Sequence, residues 1–179
     1  MARQRSTGST FLLPGFNIPV LSLLGLAILA MLFVIVSVIF TSLKKVITSS
    51  VINEFRNKLL AAGYKEPLAG YVAAQAAHET GGFISFIYLF NKNAFGMKYA
   101  GQRNAAGEKN GYAYYDTIEQ CIEDHKAWII RHIGWVFTLP RLVSLEKYVN
   151  LLKQNSYFED TVENYLNGVE YYYSTIKIG

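Results

Sequence analysis

A long uncharged segment near the N-terminus constrains this chain more than any other feature. No charged residue occurs from Ser6 to Leu43, and the stretch from Val20 to Phe40 is apolar except for two serines and one glycine. As an α-helix this stretch is about 32 Å long, which matches the hydrocarbon core of a bilayer. A signal peptide has a shorter apolar region, and a buried core helix is shorter or amphipathic. The sequence therefore predicts one transmembrane helix.

The predicted helix divides the chain into three parts. Residues 1–17 are a polar and basic tail for which no regular structure is indicated. Residues 18–43 are the transmembrane helix, and residues 44–179 are long enough for one domain. The positive-inside rule favours a cytoplasmic C-terminal domain, because more basic residues follow the helix than precede it. Arg3 and Arg5 precede the helix, and Lys44, Lys45, Arg56 and Lys58 follow it.

The charge balance of the domain gives no sign of nucleic-acid binding. Of the 17 basic residues, Arg3 and Arg5 lie in the tail, so residues 44–179 hold 15 basic and 13 acidic residues. Cys121 is the only cysteine, which excludes an intrachain disulfide. The three histidines have no convincing metal-ligand spacing. We therefore expect neither a metal nor an organic cofactor.

Within the domain, an alanine-rich stretch ends in a carboxylate and two glycines. Residues 73–83 read Ala-Ala-Gln-Ala-Ala-His-Glu-Thr-Gly-Gly-Phe. Alanine is the strongest helix former, and Gly81 and Gly82 can adopt positive φ and end the helix just past Glu79. A carboxyl at a helix C-terminus has a raised pKa when it is also partly buried, which suits a general acid. The alternative is a solvated glutamate at a helix end.

A second motif, Asn-Lys-Asn-Ala-Phe-Gly-Met-Lys, follows at residues 91–98. Together the two motifs resemble the glucosaminidase branch of the lysozyme-like superfamily, whose members cut peptidoglycan glycan strands and typically read AQAALESGWG and then NNLFGIK. The resemblance covers about residues 50–177. It implies a mainly α-helical, lysozyme-like α+β domain with a small β-lobe, and it implies that Glu79 is the catalytic acid.

The resemblance also implies residues that bind the glycan. In relatives the second motif forms the floor of the sugar-binding groove, and a tyrosine near the C-terminus lines the groove. Helical spacing places Gln75 on the same side of its helix as Glu79, which makes it a further candidate. The alternative role for this glutamine is plain helix packing. The candidate substrate-binding residues are Gln75, Asn93, Phe95, Gly96, Tyr115 and Tyr157.

The second carboxylate is harder to assign. In relatives it lies in the β-lobe in a Thr-x-Glu-Tyr context, which is missing here; Glu108 is the nearest positional match and Asp116 the next. An inverting glycosidase holds its two carboxyls about 6.5–9.5 Å apart, so that a water fits between them. The substrate's acetamido group is an alternative to this carboxylate. A lytic transglycosylase, which uses one acid/base Glu and leaves an anhydro sugar, is an alternative reaction.

The expected function is hydrolysis of β-1,4 bonds between N-acetylglucosamine and N-acetylmuramic acid. The expected partners are peptidoglycan strands, a lipid membrane through residues 18–43, and other virion or envelope proteins. Either a bacterial cell envelope or a bacteriophage virion with a membrane would hold the protein, and in a virion the host's topology rule would not describe its final location. The alternative from another class is a structural or wall-binding protein that keeps the fold without turnover.

Periodicity predicts the other elements of the domain. The stretch Phe83–Phe90 suits either a short helix or an extended run, and Tyr99–Gly111 either a loop or a small hairpin. A strand followed by a helix is expected from Tyr112. The other expected helices are residues 44–64, Pro67 to Glu79, Leu145–Gln154 and Phe158–Lys177.

Overall fold

The computed structural model describes residues 10–13 and 16–176. The chain forms two compact units, and the boundary along the sequence lies between Val46 and Ile47. The first contains an N-terminal strand pair and an apolar helical stretch, and the second is mainly helical with a small two-stranded sheet.

A short antiparallel strand pair precedes the long helix. Strand β1 (Thr10–Leu13) pairs with β2 (Phe16–Pro19). The prediction of no regular structure in residues 1–17 is therefore wrong for the described part of the tail; residues 1–9, 14 and 15 lie outside the described residues. Short apolar runs on either side of a Pro-Gly dipeptide are a local signal for such a strand pair.

Helix α1 runs from Val20 to Ala61. It begins later than residue 18 because Ile18 and Pro19 belong to β2. Its stretch Gly25–Ser42 has a mean hydropathy of 2.5, is not buried, and is long and apolar enough to cross a membrane. The helix predicted over residues 44–64 is the continuation of α1, and in the second unit it buries Ile52, Phe55 and Leu59.

Helix α2 (Leu68–Glu79) lies at the centre of the second unit. Every residue from Leu68 to Ala77 is buried, and the small side chains let neighbouring helices approach its backbone closely. The predicted start at Pro67 is one residue early, because Pro67 is the N-cap and α2 begins at Leu68. The prediction for the other end is confirmed, since Gly81 and Gly82 have φ of 61° and 85° and the helix ends before them.

The sequence left two forms open for each of the next two segments, and the structure has a helix in the first and a hairpin in the second. Helix α3 (Phe86–Asn91) is capped by Ser85. Strands β3 (Gly107–Lys109) and β4 (Tyr112–Tyr114) form an antiparallel hairpin. Helix α4 (Ile118–Ile133) then begins with a capping box, in which Thr117 and Gln120 each accept a hydrogen bond from the other's backbone N–H.

The C-terminal part contains three further helices. Helix α5 (Trp135–Thr138) and a 3₁₀ turn (Pro140–Leu142) occupy the predicted connection, and α6 (Leu145–Gln154) has its predicted bounds. Helix α7 (Val162–Tyr173) begins later than predicted, because Thr161 caps it and the residues before the cap form a loop. The predicted end at Lys177 lies outside the described residues.

Helices α2 and α7 form the packed pair on which the site is built. They are antiparallel: Tyr173, at the end of α7, contacts Gly70 near the start of α2, and Tyr165, near the start of α7, hydrogen-bonds Glu79 at the end of α2. This arrangement brings the loop before α7 next to the C-terminal end of α2.

Candidate active site

The Glu79 carboxyl is held at the C-terminal end of α2 by one strong donor. The Tyr165 hydroxyl donates a 2.5 Å hydrogen bond to Glu79 Oε1. Burial raises the pKa of Glu79, and the bond from Tyr165 partly opposes this rise. Burial and the nearby glutamate charge raise the pKa of Tyr165 well above its usual value, so the phenol remains a donor. Glu79 is therefore a positioned carboxyl whose surroundings favour its protonated form.

A cleft of about 360 Å³ surrounds this carboxyl. Its walls come from the end of α2, the turn after α3, the loop before α7 and the first turn of α7. The lining residues are His78, Glu79, Phe95, Gly96, Tyr157, Phe158, Glu159, Asp160 and Tyr165.

Three of the predicted substrate-binding residues lie in this cleft. Gly96 has a φ of 60°, and a Cβ atom there would lie 3.9 Å from Glu79 Oε2, so the glycine permits both the turn and a close approach to the carboxyl. Phe95 is almost fully buried and anchors the turn. The Tyr157 hydroxyl donates a 3.3 Å hydrogen bond to the Phe95 carbonyl. The turn after α3 and the loop before α7 are thus joined beside Glu79.

Two carboxylates that sequence reasoning did not select, Glu159 and Asp160, line the same cleft. Asp160 Oδ1 accepts hydrogen bonds from Thr161 N at 2.7 Å and from Asn164 Nδ2 at 3.2 Å. These donors belong to the start of α7, where the helix dipole favours negative charge. Asp160 is therefore fixed by two donors at the N-terminal end of α7, whereas Glu79 lies at the C-terminal end of α2.

His78 lines the cleft together with Glu79 and Asp160. Burial lowers the pKa of His78, and the charge of Asp160 opposes this lowering. The imidazole packs edge-on against Tyr165, with ring centroids 4.8 Å apart. It also lies directly on Gly168, where an added Cβ would overlap the ring.

A lysine side chain and a pair of stacked aromatic rings hold the loop that carries the two acidic residues. Lys153 Nζ donates to the carbonyls of Glu159 at 3.0 Å and Asp160 at 2.8 Å. The rings of Phe158 and Tyr165 stack with centroids 3.8 Å apart and planes 2° from parallel. These contacts position the acidic wall of the cleft without using its carboxylates.

The other three predicted substrate-binding residues do not line the cleft. Gln75 is fully buried, and its Oε1 accepts a 2.5 Å hydrogen bond from Tyr148. Asn93 is fully buried, and its amide bonds the backbone of the turn that it begins and donates to the Ala113 carbonyl of β4. Tyr115 is fully buried, and its backbone N–H bonds the Asn91 carbonyl. All three residues pack in the core behind the site.

The two candidates for the second carboxylate also lie outside the cleft lining. Glu108 is exposed, and its Oε1 accepts a 3.2 Å bond from Gly111 N within the β3–β4 turn. Asp116 is exposed, and its Oδ1 accepts a 3.2 Å bond from the Tyr114 hydroxyl. Each carboxylate is engaged within its own short segment, and the carboxylates beside Glu79 come from the loop before α7.

The sequence contained one signal for that loop. Periodicity predicted a helix from Phe158, but Asp160 and Thr161 are both favoured N-cap residues, and a cap at either position starts the helix after Asp160. Nothing local indicates that this loop meets the end of α2.

Neither similarity to known proteins nor a cluster of metal ligands adds an assignment to this site. No protein family, curated protein or solved structure matches this chain. Within residues 10–13 and 16–176, no group of three or more His, Cys, Asp or Glu side chains is arranged to hold a metal ion. What defines the site is thus a mainly helical unit with a cleft that contains one carboxyl of raised pKa and two further carboxylates.

Proposed function

We propose that this protein is a membrane-anchored glycosidase that hydrolyses β-1,4 bonds of peptidoglycan glycan strands with a lysozyme-like domain. The observation that carries the proposal is the Glu79 carboxyl, which has a pKa raised by burial and shares its cleft with Asp160. Two carboxyl groups in contrasting surroundings are what an acid and base pair requires. The resemblance of residues 73–83 and 91–98 to the glucosaminidase motifs supports peptidoglycan as the substrate.

In the proposed reaction Glu79 is the acid and Asp160 the base. Glu79 donates its proton to the glycosidic oxygen as the bond between this oxygen and the anomeric carbon breaks. Asp160 accepts a proton from the water whose oxygen forms the new bond to that carbon. Exchange with solvent then returns both groups to their starting states. Tyr165 positions the acid, and Phe95, Gly96 and Tyr157 border the space for the sugar.

The stretch Gly25–Ser42 is the proposed membrane anchor. An anchored wall hydrolase fits remodelling of a bacterial envelope or penetration of a host wall by a phage virion that contains a membrane. The virion is the alternative that removes the conflict between a substrate outside the cytoplasm and the basic residues that follow the helix.

The test is digestion of purified peptidoglycan by the full chain in detergent micelles, with the released ends identified by mass spectrometry. We expect reducing N-acetylglucosamine ends. Glu79→Gln should lower the rate by about 10²–10⁴-fold, the usual contribution of a general acid. Glu108→Gln, which removes an exposed carboxylate outside the cleft, is the matched control and should retain the rate.

Other products would change the assignment. Reducing N-acetylmuramic acid ends would make the protein a muramidase, and anhydro ends a lytic transglycosylase. Folded wild-type protein that releases no ends would contradict the proposal and favour a structural or wall-binding role.

The role of Asp160 is tested separately by nucleophile rescue. Asp160→Ala should be nearly inactive, and azide should restore turnover with a glycosyl azide as product, because this anion attacks without a base. Asp116→Asn is the control and should behave as wild type. Loss of activity without rescue would assign Asp160 to positioning, and full activity of Asp160→Ala would remove it from the mechanism.

A further inference from the structure

An apolar surface on and beside α3 remains unused by the proposed active site. No charged residue occurs from Thr80 to Asn91. Within this stretch four large apolar side chains are more than half exposed: Ile84 at 64%, Phe86 at 58%, Leu89 at 56% and Phe90 at 54%. The rings of Phe86 and Phe90 lie 4.4 Å apart and form one projection. We call these four residues the α3 patch.

Folding of the second unit does not account for the α3 patch. The inward side of the same stretch is already occupied by Phe83, which packs against Phe55 and Tyr88 with ring centroids 5.1 Å apart in each case. The outward side exposes the four apolar side chains of the patch without a charge among them. Contiguous patches of this kind on a folded surface usually mark a binding site for another protein or a membrane.

Chain connectivity ties this patch to the candidate membrane span. A Cβ atom on Gly82 would lie 3.5 Å from Thr48 Cγ2, so the turn that leads into the patch packs against that residue of α1. Thr48 follows Ser42, the last residue of the apolar window, by only six positions. Even a fully extended chain of six residues spans no more than about 22 Å. The patch is therefore tethered close to any bilayer that the span occupies.

We propose that the α3 patch inserts into the interfacial layer of the lipid bilayer that holds residues 25–42. Phenylalanine, leucine and isoleucine in a stretch of sequence without acidic residues are side chains that partition into this layer. The tether keeps the patch at a high local concentration at the membrane surface, so a weak insertion suffices. The inference rests on the membrane anchoring in the proposed function, and it adds a second contact between this protein and lipid.

Site-directed spin labelling of the full chain in lipid nanodiscs tests the proposal. The native Cys121 is fully buried, and burial raises the pKa of its thiol to about 12, so a thiol-specific nitroxide reacts with an introduced cysteine instead. Labels are placed at Leu89→Cys in the patch, at Leu32→Cys in the span, and at Tyr171→Cys, an exposed apolar position elsewhere on the domain. The discs contain phosphatidylethanolamine and phosphatidylglycerol.

The readout is the accessibility of each label to oxygen, which concentrates in lipid, and to a nickel chelate, which stays in water. The labels at positions 32 and 89 should show an oxygen-to-nickel ratio several-fold above that of the label at 171. Replacement of the paired rings, Phe86→Ser and Phe90→Ser, should return the label at 89 to the value found at 171.

Three results would overturn the proposal, and they differ from one another. A lipid-like label at 32 with a water-like label at 89 would leave the anchor intact and remove the patch from the membrane. A water-like label at 32 would remove the anchor and, with it, the basis of the proposal. A label at 89 that neither reagent reaches would show that protein, not lipid, covers the patch.

Discussion

Two buried titratable residues of the second unit respond to pH in opposite directions. Burial raises the pKa of Glu79, so the part of the folding stability that depends on its proton is lost as the pH rises through the folded value. Burial lowers the pKa of His125 from 6.5 to about 3. In this pH range His125 binds a proton in the unfolded chain but not in the folded chain. Folding stability is therefore lost as the pH falls from about 6.5 towards 3.

The first residue-scale prediction concerns His125. Its ring stacks on Phe95 with centroids 3.6 Å apart, and its Nδ1 lies 3.1 Å from the Tyr64 hydroxyl. His125→Gln keeps an acceptor for that hydroxyl but cannot take up a proton. We expect the variant to be less stable than wild type by about 1–3 kcal/mol at pH 7.5, because the stacking is lost. Between pH 6.5 and 4.5 its deficit should shrink by roughly 1 kcal/mol per pH unit.

Urea unfolding of the full chain in micelles at these pH values, followed by circular dichroism, measures the effect. His132→Gln is the matched control, because His132 is exposed on the same helix. It should follow the pH dependence of wild type. Equal losses of stability in all three proteins would contradict a proton-linked role of His125.

At the scale of elements, the contact between α2 and α7 at the site depends on a missing side chain. Alanine in place of glycine in an exposed helix usually stabilises the helix by about 1 kcal/mol. At position 168 the added Cβ would overlap the His78 imidazole. Gly168→Ala should therefore destabilise the unit by about 1–3 kcal/mol, the usual effect of overpacking. It should also slow the proposed glycan cleavage, because displacement of His78 disturbs the neighbouring Glu79.

A double-mutant cycle separates this steric effect from helix propensity. His78→Ala creates the space that the new Cβ needs, so Gly168→Ala should be neutral or stabilising in the His78→Ala background. Unfolding free energies of the four proteins give the coupling. Simple additivity would show that the imidazole and position 168 are independent.

At the scale of elements, the local sequence predicts some parts of the site and not others. The position of Glu79 was predictable because an alanine run and a glycine pair act within one helix. The carboxylates that share its cleft were not, because Glu108 and Asp116 were predicted from their positions along the chain relative to the family pattern. Asp160 reaches the cleft through α2–α7 packing, a contact exemplified by the bond between Glu79 and Tyr165, which are 86 positions apart. Sequence patterns specify helices well, but they do not specify which helix ends meet.

At the scale of the whole molecule, the composition reflects two regions that are suited to different surroundings. Half of all residues are hydrophobic, and the charged fraction is only 17%. The apolar stretch of α1 contributes to this bias, since it contains no charge. A continuous stretch of exposed apolar side chains of this length is compatible with a bilayer. The helical unit from Ile47 onwards has its own buried core.

The last prediction tests that division in one experiment. Val34→Arg combined with Val38→Arg places two charges near the middle of the apolar stretch, where each costs about 2.5–3.5 kcal/mol on an insertion scale. We expect most of the expressed chain to leave the membrane fraction on extraction with alkaline carbonate, whereas Val34→Leu combined with Val38→Leu should remain in it. After solubilisation in detergent micelles the arginine variant should still cleave peptidoglycan at the wild-type rate, because the cleft lies entirely within the second unit. Retention of the arginine variant in the membrane would argue against a spanning helix, and loss of cleavage would show that the second unit depends on the anchor for its fold.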